Sequence, residues 1–335
     1  MRHSRVSVSV WVVSIAVLRL WSAPCPGQRL ITNPVAPEGH DPWVTQFEGV
    51  YHYCYSHKGA IWVHSGRRIE NAVQFEGRQV WRPTRGLPYS RELWAPELHR
   101  LQGRWYIYVA ADDGNNENHR MYVLGADSDD PAGSYTIRGK IADPSDKWAI
   151  DGTVMLHEDR LYFIWSGWEG DTNIAQNLYI ALMKDPLSID GPRSLLSKPE
   201  YDWEQIGKPL VNEGPQVLMH EGDVFVIYSA SGSWTDNYCL GQLRLVGDDP
   251  LDPASWQKKN TPVFGSTATV FSPGHASFAR SPDGSEDWII YHAAKRQGSG
   301  WDRNTRMQRF TWDVEGNPCF GYPISEGVPI AAPSE

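Results

Sequence analysis

The chain has 335 residues, 41% of them hydrophobic and 12% aromatic, enough for a large buried core and, at about 150 residues per domain, for two domains. With 31 Lys and Arg against 40 Asp and Glu, a net charge of -9 and no basic run, a nucleic-acid partner is excluded and a neutral ligand is favoured. Sixteen Trp, 30 Gly and 24 Pro fit a turn-rich β protein better than a helical one.

The first element is a secretory signal. Arg2, His3 and Arg5 precede an apolar run from Val6 to Leu18, and Pro24-Cys25-Pro26-Gly27 then breaks any helix. The run is too short to span a bilayer, so residues 1–27 are expected to be removed, leaving a secreted chain with no membrane attachment. Cys54, Cys239 and Cys319 then remain, too few for a disulfide framework, and are expected to be buried thiols with room for one pair.

From residue 28 onward one unit recurs. "DPWVTQFEGVYHYCYS" from Asp41, "PELHRLQGRWYIYVAA" from Pro96, "DGTVMLHEDRLYFIWSG" from Asp151, "VNEGPQVLMHEGDVFVIYSASG" from Val211 and "GHASFARSPDGSEDWIIYHAA" from Gly274 share one pattern. Each runs through a short apolar strand, turns at Gly or an acidic pair, and returns through an aromatic-rich strand. Taking Asp41, Glu97, Asp151, Glu213 and His275 as equivalent, the spacings are 56, 54, 62 and 62 residues. That is room for four strands of about 5 to 6 residues with their turns. In three units a third strand ends in an Asp-Pro turn, which cannot continue a ladder. Five four-stranded units predict an all-β, five-bladed β-propeller, a single catalytic domain over 28–335.

In a propeller the first strand of each blade lines the central channel, so its equivalent ends converge on one face. Asp41, Asp151 and Glu213 are then expected to meet. Clustered acids hinder one another's ionisation, and a protonated carboxyl beside an ionised one is what glycosidic-bond hydrolysis needs.

His40-Asp41-Pro42-Trp43, "WAPELH" from Trp94, Ile150-Asp151-Gly152, Asn212-Glu213-Gly214-Pro215 and "PGHASF" from Pro273, in order and one per blade, resemble glycoside hydrolase family 43. The resemblance implies an inverting hydrolase of arabinose- or xylose-containing polysaccharides. Asp41 would be the general base, Glu213 the general acid, and Asp151 the carboxylate that orients the acid and tunes its pKa. The stretch from Leu195 to Leu218 is similar to the branch of α-L-arabinofuranosidases. β-Xylosidase, endo-arabinanase and a non-catalytic carbohydrate-binding propeller remain alternatives.

The same resemblance sets Arg306 against the sugar, and makes His275 face a central water or a supportive cation such as calcium. No cofactor is required for the chemistry. Trp94, Trp168 and His40 are candidate sugar contacts, the indoles because an apolar face with a polar edge suits a sugar ring. Glu97 is set apart as structural, its carboxylate satisfied by backbone or by His99. The expected partner is plant cell-wall polysaccharide or oligosaccharide, met by a monomer. Whether action is exo or endo is left to the loops 112–119 and 296–304.

Overall fold

The structure, a computed structural model, describes residues 29–335; the expected signal segment lies outside the described residues. Strands dominate, with one short helix, Ile69–Ala72, and three single 3-10 turns. The first four-stranded sheet comprises Trp43–Phe47, Val50–His57, Ala60–Gly66 and Arg78–Trp81. The second comprises Arg91–Leu101, Arg104–Asp112, Arg120–Ala126 and Tyr135–Ile141. The third and fourth, opening with Ala149–His157 and Leu210–His220, are joined by a short parallel pairing at Ala175↔Leu210 and Gln176↔Val211. The fifth comprises Phe271–Arg280, Asp287–Ala294, Arg303–Trp312 and Pro318–Cys319.

The five opening strands neighbour one another in sequence order, and the fifth returns to the first, which closes a five-bladed propeller. The two ends of the described chain strengthen that closure. Leu30–Thr32 pairs antiparallel with Pro329–Ala331, and Asn33 exchanges two hydrogen bonds of 2.9 Å with the backbone of Met307.

Hydrophobic burial is divided among five layers, one between each pair of adjacent blades. Leu98, Trp105 and Ile107 of blade two pack on Cys54, Ile61 and Val63 of blade one, and the other four interfaces follow suit. Because these layers absorb the apolar side chains, the centre is left polar. Cys54 and Cys239 are buried in such layers, Cys319 is half-buried, and all three are free thiols, so the pairing for which the sequence left room is not made.

Each opening strand carries the same irregularity. A left-handed residue (Asp41, Ala95, Asp151, Gly214 or His275, φ between 41° and 55°) is followed by a Pro, Gly or Ala. Regular pairing holds from the next residue, at Trp43↔Cys54, Glu97↔Tyr108, Thr153↔Ile164, Gln216↔Ile227 and Ser277↔Ile290. This corrects the equivalence drawn from the sequence: the structural repeat runs through Ala95 and Gly214, so Glu97 lies two residues deeper and Glu213 one residue nearer the mouth. Glu97 is accordingly buried below the acid cluster, held by His99 Nε2 at 2.8 Å and by the Gln216 side-chain amide.

Phe225 is fully buried between blades four and five. Phe225→Ala is expected to destabilise the protein by about 3–5 kcal/mol, read as a lower midpoint in urea unfolding with the m-value preserved.

Candidate active site

The bulges aim side chains into the mouth of the channel, where a cavity of about 660 Å³ opens. Asp41, Asp151, Glu213 and His275 all line it, with His40 and Trp94 at its edge. Left-handed backbone at Asp41, Asp151 and His275 disfavours residues other than glycine by roughly 1–2 kcal/mol each, so packing around the mouth must hold these conformations.

His275 is the hub. Its backbone N–H donates to Ser229 Oγ at 2.8 Å, and its Nδ1 lies 3.1 Å from Asp41 Oδ1 and 4.0 Å from Asp151 Oδ2. Burial opposes a charge on this imidazole, but Asp41 and then Asp151 outweigh it and raise the ring to about 10. The ring is therefore an imidazolium at neutral pH.

The three carboxylates experience different surroundings. Burial acts to raise Asp41, yet His275, by its charge and its hydrogen bond, holds it well below the usual carboxylate range, so it is ionised. Asp41 N–H also donates to His292 Nδ1 at 3.1 Å, which requires the lone pair on that nitrogen and places the His292 hydrogen on Nε2. Burial lowers His292 well below the usual imidazole value, in keeping with a neutral ring.

Asp151 and Glu213 are both raised, chiefly by burial and against the pull of His275. Like charge adds to the effect: Glu213 and Asp41 act on Asp151, and Asp41 acts on Glu213. The pair therefore keeps a proton above the usual carboxylate range. Asp151 Oδ2 accepts the N–H of Gly214 at 3.0 Å, fixing the backbone next to Glu213, while Tyr238 donates its hydroxyl to Glu213 Oε1 at 2.8 Å.

Two expected sugar contacts lie elsewhere. Arg306 is buried within blade five, its Nε donating to Asn304 Oδ1 at 2.8 Å, and does not line the cavity. Arg303 does: it sits 4.0 Å from Asp41 Oδ1 and donates to the Ser233 carbonyl at 2.6 Å. The reason is strand direction. Arg303 begins the strand at the cavity end, and Arg306 is three residues, about 10 Å, further down. Trp168 is likewise buried, stacked at 4.8 Å beneath Trp148, and it is Trp148 that borders the cavity. Trp94 does border it, half-buried and stacked at 4.0 Å on His119.

Arg303, Tyr238, His292, Trp234 and Trp301 were not found from the sequence. Arg303 carried a usable signal, since it opens a strand paired with Ala294 at the site end of blade five. Tyr238 and His292 sit on other strands and in a loop, without a repeated pattern.

His275 turns its Nδ1 toward the Asp41 and Asp151 carboxyls. Among the described residues no three His, Cys, Asp or Glu are grouped to hold a metal ion.

The model for glycosyl hydrolases family 43 matches residues 31–318. The chain belongs to this family. It is 32% identical to an extracellular exo-α-(1→5)-L-arabinofuranosidase of Streptomyces avermitilis, over 97% of this chain and 72% of that one. A relative in Streptomyces chartreusis with the same description is 31% identical, over 78% and 81%. An α-L-arabinofuranosidase structure from Lactobacillus brevis superposes with a TM-score of 0.81 at 34% identity, covering 89% of this chain and 98% of that one. The family member is thus a glycosidase, and no helix among its described residues is long and apolar enough to cross a membrane.

Two titrations test these assignments. Tyr238→Phe removes a hydrogen bond that stabilises ionised Glu213, so its carboxyl 13C shift should titrate at higher pH than in the parent. His275→Asn removes the main cation beside Asp41, whose titration should likewise move up. Unchanged midpoints would show that these contacts do not set the protonation states.

Proposed function

We propose that this family member is an exo-acting, inverting α-L-arabinofuranosidase, releasing arabinose from arabinan or arabinose-containing hemicellulose. The observation that carries the mechanism is the unequal treatment of three neighbouring carboxyls: Asp41 is held ionised while the Asp151 and Glu213 pair keeps a proton. An acid and a base of opposite protonation state in one cavity are the requirement for single-displacement hydrolysis. The choice of arabinose rests on the activities named for the relatives and on the Leu195 to Leu218 stretch.

In this scheme the terminal sugar enters the cavity with its glycosidic oxygen toward Glu213. Glu213 gives its proton to that oxygen as the bond to the anomeric carbon breaks. Asp41 accepts a proton from the water that attacks the opposite face of the same carbon. One glycosidic bond and one water O–H bond are broken, a C–O and an O–H bond form, and the proton gained by Asp41 returns through solvent to Glu213. Asp151 fixes Gly214 beside the acid, and the charge of Glu213 in turn raises Asp151, so the two carboxyls are linked in their protonation. Arg303 and the His275 imidazolium keep Asp41 charged until water is deprotonated.

The extracellular description of two relatives and the apolar N-terminal run support secretion. The reading is of a monomer whose partner is its polysaccharide, with no group from outside the chain beyond substrate and water in the chemistry.

Proton NMR of the first-formed sugar is expected to show β-L-arabinofuranose from an α-linked substrate. An α-anomer appearing first would refute inversion, and release of xylose alone from paired aryl glycosides would refute the substrate. Glu213→Ala should lower kcat/KM on arabino-oligosaccharides by about 10²–10⁴. The loss should be much smaller with a 2,4-dinitrophenyl leaving group, which needs no proton. Asp41→Ala should fail on both.

A further inference from the structure

Two of the Trp residues at the cavity have no part in the fold's cores. Neither Trp234 nor Trp301 belongs to any of the five inter-blade layers, yet both border the cavity, and Trp301 is 61% exposed. Exposed indole is unfavourable in water unless a ligand covers it.

The two rings are held in place. Trp301 Nε1 donates to Ser233 Oγ at 3.1 Å, and the rings meet edge to face at 6.3 Å and 75°. Trp234 lies over Gly207 and Gly232, where an added Cβ would come within 3.1 and 2.7 Å of its ring. The loop of Trp301 is tied to the loop of Trp234 by Gly298 N–H donating to Asp236 Oδ1 at 2.8 Å. Both glycines under Trp234 are therefore required by the ring, and the pair is preorganised before any ligand arrives.

Position assigns the platform to one side of the scissile bond. The loop carrying Trp234 belongs to the blade of Glu213 and continues into Tyr238, whose hydroxyl holds that carboxyl; Trp301, from the next blade, meets Trp234 edge to face. An acid that protonates the leaving oxygen must face the leaving group. On the opposite edge the indoles of Trp94 and Trp148 are tied to Glu92 and to the Asn116 carbonyl and stack on His119 and Trp168, so their faces are already engaged.

We propose that Trp301 and Trp234 form a platform for the pentose unit on the leaving-group side of the scissile bond, so that the enzyme selects chains over isolated glycosides. The platform rests on the reading of Glu213 as acid. Stacking of one sugar on a fixed indole is worth on the order of a tenfold change in affinity.

The test compares α-1,5-linked arabinotriose with methyl α-L-arabinofuranoside, whose leaving group has no ring. In Trp301→Ala the ratio of kcat/KM on the trisaccharide to that on the methyl glycoside is expected to fall about tenfold, through KM, and Trp301→Phe should restore most of it. An unchanged ratio would overturn the platform. Calorimetry in the Glu213→Ala background separates this from the substrate reading. If Trp301→Ala weakens xylotriose binding and arabinotriose does not bind, the platform stands and arabinose is the wrong sugar. If Trp301→Ala instead alters only sedimentation, the indoles are a self-association surface and the proposal falls.

Discussion

One imidazolium makes the rest of the site tolerable. Three carboxylates converging in a buried channel mouth would repel one another and resist ionisation. His275 stands 3.1 Å from one and 4.0 Å from another, and its positive charge lets Asp41 remain ionised. It does not neutralise the whole cluster. Asp151 and Glu213 stay raised, and it is this incomplete compensation that leaves a protonated carboxyl beside an ionised one. His275 itself is held by Ser229 and packs against Gly214, where a Cβ would come within 3.0 Å of the ring. The glycine after the acid is thereby explained twice, by its positive φ and by the closeness of the hub.

That charge arrangement depends on how the fold distributes its apolar surface. Five inter-blade layers do the packing, so the axis of the propeller need not be hydrophobic, and polar side chains can face one another across it. The cost of left-handed backbone at Asp41, Asp151 and His275 is met by the same layers, which hold the strands on both sides of each bulge. A left-handed residue repeated at the start of every blade turns a structural repeat into a ring of aimed side chains, only some of which carry charge. Ala95 occupies the same position as Asp41 and contributes none.

Beyond the hub, Asp41 and Glu213 are linked through a second set of contacts. Arg303 lies near Asp41 and over the ring of Tyr238 at 5.7 Å, and Tyr238 holds Glu213. His292 stacks on Tyr238 at 5.7 Å and receives the backbone N–H of Asp41. Movement of any one of these side chains would be felt at both carboxyls, which explains why the second and third strands of blade five and the loop of Tyr238 in blade four, and not only the opening strands, contribute to the site.

The fold, and the carboxyls that meet at the channel mouth, were legible in the amino-acid sequence because both are written as a repeat. Alternating strands recur at near-constant spacing, and a Pro, Gly or Ala after each bulge residue marks the mouth of the channel. The repeat was legible only to within a residue or two, since bulges shift register without changing composition, and Glu97 and Glu213 were aligned one or two places away from the true equivalents. Arg306 and Trp168 were misplaced for a related reason. Both have the right chemistry close to the right position, but depth along a strand and the order of stacked rings are settled by packing between blades. The sequence by itself determined that five equivalent strand starts exist and that carboxylates lie at or within two residues of four of them. Only the tertiary structure decided which side chains from the other strands reach them, because those contacts join residues from 25 to more than 250 positions apart, and no local pattern records a distance across the channel.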